Sequence, residues 1–243
     1  VRRALDAARH PALLLVDGVS SIACMDFRMD EWGVDVAVTG SQKGFMLPAG
    51  LAIVAFSDKA RSASKSVELN RAFFDIRDMQ QGYARDSYPY TPPVGLMNGL
   101  KLSTQMLLEE GMENVFLRHR RIASGVRAAV TAWGLSLSAR SPDLWSDTVS
   151  AIQTPEGFDA TTIVIHAASK YGVAFGTGLG EVAGKVFRIG HLGSLTDVMA
   201  LSGIATAEMA MADLGLPVRL GTGVAAAQQV YRESEASTQK AAA

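Results

Sequence analysis

The chain has 243 residues, of which 48% are hydrophobic and 19% charged, and its formal net charge is -1. This length is sufficient for one large domain or two smaller ones with a substantial core. The near-neutral charge balance argues against nucleic acid or an anionic membrane as a partner. The sequence contains no signal peptide and no apolar run long enough to cross a bilayer, so a cytoplasmic location is expected.

The single cysteine, Cys24, excludes an internal disulfide and a thiolate metal cluster. This is consistent with a reducing compartment, and we expect no metal site. Cys24 itself is interpreted as a core or half-buried thiol. The chain begins with Val1 inside a helical pattern, "VRRALDAARH", followed by Pro11. We therefore expect the chain to be the C-terminal portion of a longer protein.

The first part of the chain alternates apolar strands with turns and helices. The segments "ALLLVDGVSS", "VDVAVTGSQ" and "GLAIVAFS" are predicted strands. Their almost continuous apolar character is typical of a mostly parallel sheet that is covered on both faces. Ligands of such sheets bind at the carboxyl ends of the strands, and Asp17 and Lys43 both follow predicted strands there.

The middle of the chain is predicted to be helical. The prolines of "YPYTPPV" exclude a helix interior before Val94, and a helix is expected over Val94–Glu110 with Gly111 as its stop. A second amphipathic helix, "MENVFLRHRRIASGVRAAVTAW", ends at Gly134. We predict that residues 1–110 are part of a larger domain.

From Leu135 the pattern changes to that of a smaller α+β domain, assigned to residues 111–216. The segments "LSLSA", "DTVSAIQTP" and "KVFRIGHLG" are predicted strands. Two helices are expected, "DATTIVIHAASKYG" with Asp159 as N-cap and "LTDVMALSGIATAEMAMADLG" with Thr196 near its N-cap. Residues 217–243 are small and polar, and we interpret them as a tail whose end is disordered.

Asp17 and Lys43 together suggest one chemistry. About one strand-connection-strand unit separates them, so a carboxylate and an amine would face each other across adjacent strand ends. A deprotonated, partly buried lysine forms a Schiff base with pyridoxal phosphate, and an aspartate pairs with the protonated ring nitrogen. From residue types alone, a surface lysine and a strand-capping aspartate are the more common interpretation.

Other motifs have simpler explanations. Residues 176–183, "GTGLGEVA", contain a G-x-G-x-x-A pattern, but a strand follows where a dinucleotide site needs a helix, so we expect a flexible loop. His166 is expected to pack within its helix, and His119 and His10 are expected at the surface. His191 is given no role.

Several motifs in order carry a family resemblance. "LLLVDGVSSIA", "WGVDVAVTGSQKGFMLPAGLAIVAFSDKA", "YPYTPPV", "LLEEGMENVFLRHR" and "GKVFRIGHLG" resemble the class V pyridoxal phosphate-dependent aminotransferases. These motifs are most similar to those of the serine–glyoxylate and alanine–glyoxylate aminotransferase group, and the resemblance extends to about Leu216. The resemblance implies the C-terminal part of a fold-type I transferase, that is, an α/β domain with a mostly parallel sheet flanked by helices and a smaller α+β domain.

The resemblance also implies roles for individual residues. Lys43 matches the Schiff-base lysine and Asp17 the partner of the ring nitrogen, while Val19 matches the position that packs on the ring. Gln42 matches a residue beside the cofactor phosphate. Tyr88 and Thr91 match phosphate contacts that are supplied to a neighbouring subunit's site. Arg188 matches the arginine that binds the substrate α-carboxylate. A homodimer with shared active sites would follow.

The implied reaction is transamination from a small L-amino acid, serine or alanine, to glyoxylate, giving glycine and a 2-oxo acid. Relatives carry an N-terminal region that this chain lacks, so its activity alone is an open question. Kynureninase-like and aminoethylphosphonate-specific relatives remain alternatives, as does a non-catalytic fragment. A cysteine desulfurase is disfavoured because Gln42 precedes the lysine and no cysteine follows Cys24. A nicotinamide oxidoreductase is disfavoured by the missing helix.

Overall fold

The computed structural model describes residues 1–68 and 70–241, with side chains described up to residue 234 in the last helix. The chain divides into two compact units, Val1–Gly111 and Met112–Ala243. They are named the first unit and the second unit below, and each is described by itself. In the described part of the chain, no helix is both long and apolar enough to cross a membrane.

The first unit contains a small sheet and four helices in its described part. Its elements are α1 Arg2–Ala7, β1 Leu15–Asp17, β2 Val36–Gly40, β3 Ala52–Phe56, α2 Asp58–Lys65, α3 Ile76–Tyr83 and α4 Val94–Glu110. The strand order is β1-β2-β3, with β1 parallel and β3 antiparallel to β2. The helix predicted over Val94–Glu110 is confirmed at both ends.

One buried carboxylate joins the start of this sheet to the helix after it. Asp35 accepts hydrogen bonds from the Leu14 N–H at 2.8 Å and the Ser57 hydroxyl at 3.0 Å, and it lies 3.8 Å from the Lys59 ammonium. Burial alone would raise the pKa of Asp35, but the two hydrogen bonds and the nearby cations lower it overall. Because Ser57 also caps α2 by accepting the Ala60 N–H, Asp35 fixes where that helix begins.

The predicted coverage of this sheet on both faces is not found within the described residues of the first unit. Leu15 is 64% exposed, Val54 42% and Phe56 37%. An apolar strand pattern indicates which side chains can be buried, whereas actual burial depends on which layers pack against the sheet. The third strand is also antiparallel, which periodicity alone does not reveal.

The second unit is an α+β sandwich in which helices pack against an antiparallel sheet. Its elements are α5 Met112–Ala132, β4 Ser136–Leu137, β5 Val149–Gln153, α6 Thr161–Tyr171, β6 Gly176–Thr177, β7 Val186–Gly190, α7 Asp197–Asp213 and α8 Thr222–Ala241. The strand order is β4-β5-β7-β6. Short 3-10 turns occupy Pro142–Leu144 and Gly180–Val182.

One face of this sheet carries the core. The strands β5 and β7 place Ile152, Phe187 and Ile189 against apolar side chains of the helices. Burying each such side chain contributes about 1.5–3 kcal/mol. The helix residues of this core include Val126 and Val130 of α5, Ile204 and Met211 of α7, and Ala227 and Tyr231 of α8.

The tail prediction was wrong for most of residues 217–234, because α8 is part of the second unit. Buried Tyr231 donates its hydroxyl proton to the Ile122 carbonyl at 3.2 Å. Buried Glu208 accepts the Trp133 indole N–H at 2.9 Å and the Gly221 N–H at 2.8 Å, and also accepts the Gly223 N–H. The small and polar residues of this segment suggested a tail, although it forms a helix with a narrow apolar stripe. The expected disorder of the end falls on residues 235–243, whose side chains lie outside the described part.

Three smaller predictions need correction. His119 is 1% exposed, not a surface residue, because both ring nitrogens are bonded: Nδ1 to the Val115 carbonyl at 2.7 Å and Nε2 to the Gly193 N–H at 3.0 Å. Helix α6 begins one residue later than expected, although Asp159 still accepts the Thr161 N–H at 2.9 Å. The segment 176–183 is not a plain loop, since Gly176–Thr177 pairs with β7.

Candidate functional site

The parallel pairing of β1 and β2 brings two of the expected residues to the same edge of the sheet. Asp17, the last residue of β1, is in register with Val38 of β2, and the Gly18 N–H donates to the Val38 carbonyl at 2.9 Å. Lys43 lies in the turn that follows the end of β2 at Gly40. Asp17 and Lys43 therefore both lie at the carboxyl-end edge of this sheet.

Asp17 is held by its own backbone turn. Its Oδ1 accepts the Val19 N–H at 2.9 Å, which fixes the side chain and the start of the following loop. Asp17 is exposed and Val19 half-buried. Its other carboxylate oxygen, Oδ2, has no hydrogen-bond partner among the described residues. It can therefore accept a hydrogen bond from a ligand.

The turn that carries Lys43 is anchored on each side. Buried Ser41 donates its hydroxyl proton to the Pro48 carbonyl at 2.7 Å and accepts the Leu51 N–H at 3.2 Å. The Met46 N–H donates to the Lys43 carbonyl at 3.0 Å. Lys43 is half-buried and Gln42 exposed. The backbone of this turn is thus fixed while the Gln42 and Lys43 side chains can reach a ligand.

The loops after β1 and β2 contact each other closely at Gly44. A Cβ atom added to Gly44 would lie 2.9 Å from Cys24 Sγ and 3.0 Å from Ala23 Cβ, and would overlap the Ile22 carbonyl oxygen. Ala23 and Met46, one in each loop, have positive φ angles of 66° and 60°, which cost non-glycine residues energy. Strained backbone of this kind persists where surrounding contacts enforce it, and here it flanks Lys43.

Tyr88 and Thr91 lie in the irregular segment between α3 and α4, and both are exposed. Tyr88 is 57% exposed and borders an open groove of about 860 Å³, together with residues of β3 and α4 such as Ile53 and Met97. No hydrogen bond joins Tyr88 or Thr91 to Asp17 or Lys43 among the described residues.

Arg188 lies in the second unit, on the face of β7 that points away from the core. Phe187 and Ile189 on either side of it are buried, while Arg188 is half-buried. Its Nε donates to the Thr177 carbonyl at 2.8 Å. Within the described part of this unit, neither terminal guanidinium nitrogen has a hydrogen-bond or ion-pair partner. The alternating pattern of the strand did not exclude that Arg188 faces solvent. In the structure its side chain is half-buried.

Buried polar residues near Arg188 were missed by the sequence reasoning. His191 is fully buried, with Nε2 2.9 Å from the Ser150 hydroxyl oxygen and Nδ1 3.1 Å from the Asp147 carbonyl oxygen. Burial lowers the pKa of His191 from its usual 6.5 to about 4, so the ring is neutral at pH 7. A histidine directly after a buried strand was the available signal, but its burial depends on residues far away in the chain.

Comparison with known proteins identifies the family of this chain. Residues 3–179 match the family model described as Aminotransferase class-V. The chain is 74% identical over its full length to L-aspartate–glyoxylate aminotransferase of Paracoccus denitrificans. It is 54% identical over 96% of its length to serine–glyoxylate aminotransferase of Hyphomicrobium methylovorum. It spans 61% and 58% of the length of these two relatives.

Solved structures of aminotransferases are similar in fold to this chain. Ureidoglycine–glyoxylate aminotransferase from Bacillus subtilis is similar with a TM-score of 0.87 at 25% identity, over 95% of this chain and 61% of that one. Pyridoxamine–pyruvate aminotransferase from Mesorhizobium loti has a TM-score of 0.87 at 34% identity, over 94% and 59%. The predicted fold class, an α/β part of a fold-type I transferase, is confirmed. The chain belongs to the class-V aminotransferase family.

Proposed function

We propose that this chain contributes to a pyridoxal phosphate-dependent aminotransferase that moves an amino group from an L-amino acid to glyoxylate. The products are glycine and the 2-oxo acid of the donor. The observation that carries the proposal is that Asp17 and Lys43 lie at one edge of a parallel strand pair, in a member of this family. The chain spans about 60% of its curated relatives, so the complete activity is part of the proposal.

The groups at this edge fit the cofactor chemically. Pyridoxal phosphate, when bound, supplies an aldehyde and an electron-withdrawing protonated ring. The free Oδ2 of Asp17 would accept the ring N–H, and Lys43 would hold the aldehyde carbon. Lys43 Nζ, once free, would take the substrate α-proton and pass it to the former aldehyde carbon, which is general acid–base catalysis. Gly40 and Gly44, on either side of this turn, contribute no Cβ atoms beside Lys43.

The other cofactor contacts follow from position. We propose that Val19 packs on the ring and that Gln42 lies beside the phosphate. Both follow the ends of the strands that carry Asp17 and Lys43. Tyr88 and Thr91 are proposed to contact the phosphate of a second subunit's cofactor. Both side chains are exposed and so are accessible to a second subunit, and we propose a homodimer with shared sites.

Arg188 is the proposed site for the substrate α-carboxylate. Its two terminal nitrogens lack protein partners within the described part of the second unit, and a guanidinium can bind a carboxylate through two parallel hydrogen bonds. Such binding orients the α-carbon, because a two-point contact fixes rotation as well as position. Arg188 is therefore assigned to substrate binding and not to proton transfer.

The amino donor is narrowed by the relatives' names. The sequence pointed to serine or alanine, and the two curated relatives above are named for L-aspartate at 74% identity and for serine at 54%. We propose glyoxylate as acceptor, with L-aspartate and L-serine as the first donors to assay and L-alanine third. Kynureninase-like and aminoethylphosphonate-specific activities have no supporting observation in the structure. The cytoplasmic location stays a prediction.

Reductive trapping tests the proposal without requiring turnover. The chain is incubated with pyridoxal phosphate, reduced with borohydride, digested and analysed by mass spectrometry. A pyridoxyl group confined to the peptide with Lys43 is the expected result, and Lys43→Ala should abolish it. Lys65→Ala, which changes an exposed lysine at the end of α2, is the matched control and should leave the label in place.

The trapping experiment has a clear opposite outcome. Label spread over many lysines, and unchanged by Lys43→Ala, would contradict the assignment of Lys43. The Asp17→Asn variant separates the two roles at this edge. It should still be labelled at Lys43, because the amine is intact, but it should lose amino-transfer activity with glyoxylate, since an amide holds the ring-nitrogen proton poorly.

A further inference from the structure

We propose that Gly176 and the Thr177 carbonyl are positioning groups that aim the Arg188 guanidinium at a carboxylate. The inference rests on the proposed role of Arg188 and extends it to a pair of residues in β6. Three observations of the second unit carry it: the pairing register, the close approach at Gly176, and the single hydrogen bond at Nε.

The register places small residues on both sides of Arg188. Gly176 of β6 and Ala151 of β5 are its direct partners in the antiparallel ladders. Directly opposed residues of an antiparallel pair project from the same face of the sheet. Arg188 therefore lies in a row whose two neighbours leave space above the sheet. That space can hold the guanidinium and a small ligand.

The Arg188 side chain occupies the space that a side chain at position 176 would need. A Cβ atom added to Gly176 would lie 3.1 Å from Arg188 Nε, 3.2 Å from its Cβ and 3.4 Å from its Cζ. The first two separations are shorter than ordinary van der Waals contact, so the arginine side chain packs directly against Gly176. An alanine at position 176 would push the guanidinium away by a few tenths of an ångström.

The hydrogen bond then fixes which nitrogens remain free. Nε donates to the Thr177 carbonyl at 2.8 Å, next to the glycine. With Nε occupied by protein, the two terminal nitrogens are left without partners in the described part of this unit. The end of the guanidinium thus presents two parallel N–H groups, which is the arrangement that matches a carboxylate. A lysine could not be held in this way, since it has no equivalent of Nε.

This arrangement predicts a selective effect of Gly176→Ala. Loss of one well-aligned charge-assisted hydrogen bond corresponds to a rise of about tenfold in KM for a donor with a free α-carboxylate. The same donor as its methyl ester lacks the carboxylate, so its kinetics should not change. A merely structural defect would impair both substrates alike. Gly203→Ala in α7 is the control, because nothing lies within 4 Å of the added Cβ.

The test is run on the chain loaded with pyridoxal phosphate, comparing wild type, Gly176→Ala, Arg188→Lys and the double variant. We expect KM for the free amino acid to rise in both single variants, with no further rise in the double, because the two changes disrupt one contact. Equal effects on acid and ester, or additive effects in the double, would overturn the positioning role. An unchanged KM in Arg188→Lys would instead remove Arg188 from the proposed function, and this inference with it.

A second measurement needs no turnover. In protein labelled with ¹⁵N-arginine, the Nε–H signal of Arg188 is assigned by its loss in Arg188→Lys. Hydrogen exchange of this proton should be slow in wild type and in Gly203→Ala, and faster by at least about fivefold in Gly176→Ala, because its bond to Thr177 is weakened. Trapping at Lys43 should be unchanged in all three proteins. Unchanged exchange in Gly176→Ala would refute the proposal.

Discussion

The contact between the two loops at the Lys43 edge leads to a strong prediction for Gly44→Ala. The new Cβ would overlap the Ile22 carbonyl and lie 2.9 Å from Cys24 Sγ and 3.0 Å from Ala23 Cβ. Ordinary contacts of a Cβ atom are longer than this, so the loops must separate by roughly 0.5–1 Å. Neither a backbone carbonyl nor the buried, positive-φ Ala23 can move freely. Overpacking of this kind costs about 1–3 kcal/mol.

The functional consequence is larger than the loss of stability. Lys43 precedes Gly44, so a separation of the loops displaces the amine relative to Asp17. A displacement of about 1 Å can reduce a rate by roughly 10²-fold. We expect slow trapping of pyridoxal phosphate at Lys43, and amino transfer lowered by about that factor. The free energy of unfolding, measured by urea denaturation, should fall by about 1–3 kcal/mol.

A matched glycine provides the control. Gly95 lies in α4 of the same unit and has no atom within 4 Å of an added Cβ, so Gly95→Ala should be neutral or slightly stabilising. The reasoning would be refuted if Gly44→Ala were trapped at the wild-type rate and unfolded within about 0.5 kcal/mol of wild type. It would also fail if Gly95→Ala lost as much activity.

Three further predictions concern the second unit. Glu208→Gln should lower the free energy of unfolding by about 2–4 kcal/mol in urea, because one buried oxygen becomes an NH₂ group facing an N–H donor; the exposed Glu233→Gln should change it by less than about 0.5 kcal/mol. Burial lowers the pKa of His191 to about 4, so the folded state binds fewer protons than the unfolded state between pH 4 and 6.5. The free energy of unfolding should therefore be about 2 kcal/mol lower at pH 5 than at pH 7. The His191→Asn variant should remove this difference. Tyr231→Phe loses the hydrogen bond to the Ile122 carbonyl and should cost about 1 kcal/mol, and a cost near zero would show that the bond contributes nothing.

Strand β6, which pairs with the strand that carries Arg188, was not predicted from the sequence. Gly176 and Thr177 have no β-branched or aromatic pattern beyond one threonine, and a two-residue strand is too short for periodicity to detect. Its pairing with β7 depends on residues about ten positions later in the chain. The orientation of Arg188 is therefore a property of the sheet register and not of the local "KVFRIG" pattern.

Local order along the chain was predictable because it depends on neighbours in sequence. Apolar runs of strand length and the turn residues around them identified β1, β2 and β3, and the prolines before Val94 and Gly111 after Glu110 bounded α4. The motif "GSQKG" pointed to Lys43 without any structure. These features depend on backbone propensity and on side chains a few positions apart.

Tertiary structure decided what distant residues do to one another. Burial of His119 requires the Gly193 N–H, and the docking of α8 requires Glu208 and the core of α5 and α7, none of which is adjacent in sequence. Parallel pairing of β1 with β2 places Asp17 and Lys43 at one edge. Hydrophobic pattern states what each segment can bury, but the partner that buries it is chosen only when the whole unit folds.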